Sequence, residues 1–119
     1  MRSIVIIGNG IAGVTAARNI RKLSDDAITV ISDESNFHYS RPALMYIFMG
    51  DMKFEHIKPY EDWFWKKNRI HLLNDYVENI DCKNKKLQLK NGGELFYDVL
   101  IIATGSTPNK PSCKGIELK

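Results

Sequence analysis

SIVIIGNGIAGVTAARNIRKL, residues 3–23, decides how the rest of the chain is read. Ser3 to Ile7 is a short apolar run of the kind that forms a buried strand. It stops at Gly8-Asn9-Gly10-Ile11-Ala12-Gly13, a G-x-G-x-x-G pattern, and a helical stretch runs from Ile11 to about Leu23. A strand that turns sharply into a helix through these glycines makes a pocket for a pyrophosphate. Gly8 permits the tight turn. Gly10 has no Cβ, so the backbone can approach the phosphates. Gly13 lets the helix lie close to the strand. The first helical turn, Ile11, Ala12 and Gly13, presents free N–H groups and the positive end of the helix dipole to the anion. Gly13, Ala16 and Ala17 share one side of this helix and suit close packing on a sheet.

Beyond the helix, Asp25-Asp26 turns the chain, and Ala27 to Ile31, rich in β-branched residues, reads as a second strand parallel to the first. An acid about 20 residues past the last glycine, at the end of that strand, is placed to accept hydrogen bonds from ribose hydroxyls. Glu34 holds this place and Asp33 is the alternate; two acids also argue against a 2′-phosphate on the ligand. Asn36 to Pro42 is a loop with aromatic residues, Arg41 and a proline. Pro42 suits the first turn of a helix continuing over Ala43 to Met49, and Gly50-Asp51 ends it.

Pro59 precedes a further helix, about Tyr60 to Asn68, whose Trp63-Phe64-Trp65 cluster is expected to pack on the sheet. From Ile70 the pattern turns to short strands at Ile70–Leu73, Tyr76–Asp81, Lys86–Lys90 and Glu94–Tyr97, with Asn91-Gly92-Gly93 as a hairpin turn. Val99 to Ala103 is continuously apolar and is expected to be a strand buried on both faces. It ends at the Thr104-Gly105-Ser106 turn.

Composition narrows the function. The chain has 119 residues, 44% of them hydrophobic and 26% charged, which describes one globular domain. The net charge of +3 is small and its basic residues are scattered, which excludes a nucleic-acid footprint. Cys82 and Cys113 form neither C-x-x-C nor a metal-ligand pair, and His38, His56 and His71 have no metal-ligand spacing, so the histidines are expected to be structural or exposed. No apolar run nears the ~20 residues of a membrane span, and no leader precedes the first strand. The expected place is the cytoplasm.

The glycine pattern, Glu34, Tyr39-Ser40-Arg41-Pro42 and Tyr97-Asp98-Val99-Leu100-Ile101-Ile102-Ala103-Thr104-Gly105-Ser106 together resemble the FAD-binding part of the pyridine nucleotide-disulfide oxidoreductase family. The nearest look is to members without a redox disulfide, such as rubredoxin and ferredoxin reductases and the flavin module of NADH-dependent nitrite reductase. The resemblance implies an α/β fold: a Rossmann-like parallel sheet with a β-meander insertion, in three layers. It covers residues 1–119 as a partial FAD-binding domain, about the first third of such an enzyme, truncated before the NAD(P)H-binding fold. It implies that Gly8, Gly10 and Gly13, with Ile11 and Ala12 of the same turn, hold the FAD pyrophosphate and that Glu34 holds the adenosine ribose. Arg41 and Pro42 would lie by the pyrophosphate and flavin, and the Val77 backbone would meet adenine. Ala103, Thr104 and Gly105 would close the site.

Where such reductases often carry a serine and a lysine that reach the flavin, this chain has Met45 and Tyr46. No side chain stands out as a general acid or base. The expected activity is electron transfer from NAD(P)H through FAD to an acceptor of rubredoxin, ferredoxin or nitrite reductase type, with the 119 residues alone inactive. Two other readings stay open: an NAD-binding dehydrogenase domain, and a non-catalytic subunit that keeps the fold. Apolar edges left uncovered by a partial sheet leave room for self-association.

Overall fold

The computed structural model of the chain describes residues 1–116. The glycine stretch builds the centre. β1 (Ser3–Ile7) leads through the glycine turn into α1 (Ile11–Leu23), and β2 (Ala27–Ser32) returns parallel to β1, with Ser3 opposite Ala27 and Ile7 opposite Ile31. β3 (Ile70–Asn74) joins the outer side of β2, and the final strand (Val99–Ile102) joins the other side of β1, both parallel.

Between β3 and that last strand lie three antiparallel strands, β4 (Val77–Asp81), β5 (Lys86–Leu89) and β6 (Glu94–Phe96), which form a sheet of their own; the last strand is β7. The parallel sheet runs β3-β2-β1-β7 and the meander β4-β5-β6. Gly92, at φ +83°, makes the turn between β5 and β6.

Alternation along the strands separates two cores. Ile4 and Ile6 of β1, Ile28 and Val30 of β2 and Ile70 of β3 meet Val14 and Ala17 of α1 and Trp65 on one face. On the other face, Val5 and Ile31 meet Leu87, Leu89 and Tyr97 of the meander side. Helices, parallel sheet and meander thus make three layers, as the resemblance implies. Each fully buried Ile or Val here contributes about 1.5–3 kcal/mol relative to exposure.

The segment between β2 and β3 is only partly regular. A 3-10 turn at Arg41–Ala43, with Pro42 in its first turn, runs into α2 (Leu44–Phe48). A second 3-10 turn covers Phe54–Ile57, and α3 (Asp62–Lys67) is shorter at each end than the expected Tyr60 to Asn68. Only part of its aromatic cluster packs inward: Trp65 is buried and Phe64 packs against the core, whereas Trp63 is exposed, with Lys67 over its ring. Adjacent helical residues point about 100° apart, so one short helix cannot bury all three.

A second expectation fails at β7. Val99 to Ala103 is apolar throughout, yet Ile102 is 62% exposed and Val99 is also exposed. β7 is the edge of the sheet among the described residues, so a continuous apolar run here does not mean burial on both faces. Its start is pinned by Asp98, whose carboxylate accepts from the Ser3 N–H (2.6 Å) while its own N–H donates to the Ser3 carbonyl (2.8 Å).

Arg21, in the last turn of α1, holds three segments at once. Its guanidinium donates to the carbonyls of Ser24 (3.0 Å), Asp26 (2.7 Å), Asn68 (2.8 Å) and Arg69 (3.0 Å). The end of α1, the entry to β2 and the turn into β3 are therefore joined at one cation. This satisfies carbonyls that no helix or strand ladder would reach.

Candidate functional site

The three glycines of the turn do different work. Gly8 has φ +112°, and a Cβ there would overlap the Ala103 carbonyl of β7's C-terminal exit. A Cβ at Gly13 would overlap the Gly8 carbonyl and sit 3.3 Å from Ile6 Cγ2. Both glycines are needed for the turn and the helix to lie against the sheet at all. Gly10 differs: a Cβ there would meet only the Arg41 guanidinium, with Nη1 3.0 Å away. Its backbone is open towards the cleft. Gly10 is also the N-cap of α1, no side chain caps the helix, and no acid lies in its first turn. The first N–H groups of α1 are thus left to an external acceptor.

These groups open on a cleft of about 1090 Å³ at the C-terminal ends of β1, β2 and β7. This is where ligands bind in open α/β sheets. Gly8, Gly10, Ile11, Ala12, Glu34, Arg41, Val77, Ala103, Thr104 and Gly105 all line it. Gly13 does not: it is buried beneath the turn, as its packing role requires. Pro42 is exposed on the 3-10 turn outside the lining and serves to start that turn. Asp33, the alternate acid, lines the cleft beside Glu34. On the meander side, Glu78 and Asn79 of β4 line it as well, residues that carried no motif in the sequence.

The polar groups around the turn are ordered by one another. Glu34 accepts from the Tyr39 hydroxyl at one carboxylate oxygen and from the Arg41 guanidinium at the other. Tyr39's phenol is held above its ordinary pKa, chiefly because it donates to the Glu34 carboxylate, then through burial and the charge of Glu34, with Arg41 opposing. Asn9, between the glycines, is buried, and its side-chain amide donates to the Ser35 carbonyl (3.1 Å), the Ser35 hydroxyl (3.2 Å) and the Phe37 carbonyl (3.3 Å). His38, also buried, donates from Nδ1 to the Asn9 carbonyl at 2.7 Å and stacks on Tyr60. Burial pushes His38 below the usual histidine range; the Asn9 carbonyl opposes this and the Arg41 charge adds to it. The glycine loop and the loop after β2 are therefore clasped together. Of the histidines, His38 is structural, and His56 and His71 are exposed.

The family model for the pyridine nucleotide-disulphide oxidoreductases matches residues 2–119. The chain belongs to this family. It is 36% identical to the rubredoxin-NAD(+) reductase of Pseudomonas putida over 119 residues, covering 98% of this chain and 31% of that protein. It is 36% identical to the sulfide-quinone reductase of Aquifex aeolicus over 105 residues, covering 87% of this chain and 24% of that one. The crystal structure of NADH:rubredoxin oxidoreductase from Clostridium acetobutylicum superposes with a TM-score of 0.85 at 35% identity, over 92% of this chain and 29% of that chain. The chain thus spans about a quarter to a third of the length of these family members.

A dinucleotide fits the residues present. Gly10 leaves room at an uncapped helix N-terminus, Arg41 supplies a cation beside it, and Glu34 supplies an acceptor for hydroxyls. Among the described residues no group of three or more His, Cys, Asp or Glu is gathered for a metal, and no helix is long and apolar enough to cross a membrane.

Proposed function

We propose that residues 1–119 are part of the FAD-binding domain of an NAD(P)H-dependent flavoprotein oxidoreductase. Electrons would pass from nicotinamide through FAD to an acceptor such as rubredoxin, a ferredoxin or a nitrite reductase centre. The observation that carries this reading is the Gly10 turn, open beneath Arg41 and beside Glu34, at the cleft end of the parallel sheet. FAD, when bound, supplies the hydride and single-electron chemistry. The chain's own residues bind and orient. The N–H groups of Ile11, Ala12 and Gly13 receive the diphosphate, Arg41 neutralises it, and Glu34 accepts from the adenosine ribose. The Val77 backbone faces the adenine end, and Ala103, Thr104 and Gly105 close the other side.

Three features support the reading: the family membership, the names of relatives that include reductases of rubredoxin and nitrite, and the joint lining of the cleft by the glycine turn and Ala103–Gly105. Met45 and Tyr46, both exposed, leave no ammonium on this stretch to act on the flavin ring. The place of action is the cytoplasm. Titration of the purified chain with FAD, followed by flavin fluorescence, tests the reading, with NAD as the counter-titration. Saturable FAD binding at one site per chain, unaffected by NAD, is expected. NAD binding without FAD binding would overturn it in favour of a dehydrogenase domain.

A further inference from the structure

Tyr39 stands apart from the groups assigned above, because its ring is a fixed post rather than a surface side chain. Tyr39 is 8% exposed, its ring edge-on to Phe37 at 6.5 Å between centroids and tilted against Phe54 at 5.4 Å. From that post its hydroxyl donates to one oxygen of Glu34, and its face lies under the Arg41 guanidinium, 5.3 Å from the ring centre. Arg41 donates to the other oxygen of Glu34, and its Nη1 is the nearest atom to the open side of Gly10. Glu34 and Arg41 are both roughly half exposed and would otherwise sample several rotamers.

Glu34 and a diphosphate are both anions in one cleft, so their placement matters. A carboxylate free to swing towards Gly10 would repel the diphosphate and lose its ribose geometry. Held by Tyr39, it stays on the β2 side with Arg41 between it and the glycine turn.

We propose that Tyr39 is the positioning residue of the nucleotide site: one buried phenol sets the Glu34 carboxylate for the ribose and, through its ring face, the Arg41 guanidinium for the diphosphate. This rests on the FAD reading. Tyr39 touches no ligand itself and acts through its two neighbours.

A double-mutant cycle on FAD binding tests it, using the full chain as wild type, Tyr39→Phe, Glu34→Ala and the double variant. Tyr39→Phe keeps the ring between Phe37 and Phe54, so the ligand-free melting temperature is expected to change little. FAD affinity is expected to fall about tenfold, because a Glu34 carboxylate released from Tyr39 must be ordered again when the nucleotide binds. In the Glu34→Ala background the same change is expected to have almost no effect. Unchanged affinity in Tyr39→Phe overturns the proposal. So does an equal loss in both backgrounds, which would mean general loosening of the loop. If the wild-type chain takes up no FAD, the cofactor reading falls and this one with it, whereas wild-type binding with a silent Tyr39→Phe removes only the positioning role.

Discussion

At the scale of residues, the three glycines of one motif separate into two kinds. Gly8→Ala places a Cβ on the Ala103 carbonyl at a positive φ, and Gly13→Ala places one on the Gly8 carbonyl. Each is expected to cost about 3 kcal/mol or more in stability, measured by denaturant unfolding. Gly10→Ala meets only the end of a flexible arginine, on a backbone with φ −71° that any residue adopts. Its stability cost is expected to stay below about 1 kcal/mol, while FAD affinity falls at least about tenfold because the methyl group stands where the phosphates approach.

His38 gives a pH signature at the same scale. Its folded pKa lies below the ordinary 6.5, so the unfolded chain takes up the proton first on acidification. The stability this histidine contributes is therefore full above about pH 6.5 and is lost as the pH falls through the lower folded value. The melting temperature is expected to drop between pH 7 and pH 5, and less steeply in His38→Asn, whose Nδ2 amide stands where Nδ1 does and keeps a donor for the Asn9 carbonyl without the charge.

At the scale of elements, Arg21 decides how α1, β2 and β3 are tied. Its four carbonyl partners come from three segments, and Lys cannot reach them in the same fork. Arg21→Met keeps the stem and removes the donors. It is expected to lower stability by about 2–3 kcal/mol in urea unfolding, with Arg21→Lys recovering less than half. A basic residue in the last helical turn is easily taken for a dipole partner. The sequence carries no sign that Asn68 and Arg69 come within its reach, because that contact exists only once β3 pairs beside β2. The α3 aromatics teach the same point: Trp63 and Trp65 are alike in sequence, and only the sheet's position makes one core and the other surface.

At the scale of the whole molecule, apolar side chains remain on the outside of α2 and β7. Phe48 is 93% exposed, and Met45, Met49 and Ile102 are also exposed. Exposed apolar side chains on a short helix, and on a strand at the sheet edge among the described residues, each favour association. Sedimentation velocity is expected to show concentration-dependent oligomers of the isolated chain, reduced in the Phe48→Lys/Ile102→Lys double variant.

What the sequence determined by itself is local. The apolar runs of β1 and β2, the glycine turn, α1 and the hairpin at Asn91-Gly92-Gly93 all follow from periodicity and backbone freedom within a few residues of one another, and Glu34 follows from its spacing to the glycines. Tertiary structure decided what depends on neighbours distant in the chain. It left Ile102 of β7 in solvent at the sheet edge among the described residues, closed Gly8 against Ala103, and tied Asn9 to the loop after β2. It also set Tyr39 under Glu34 and Arg41. The physical reason is that φ/ψ preference and hydrophobic pattern act along the chain, whereas burial, close approach and hydrogen-bond partnership are properties of the space between segments.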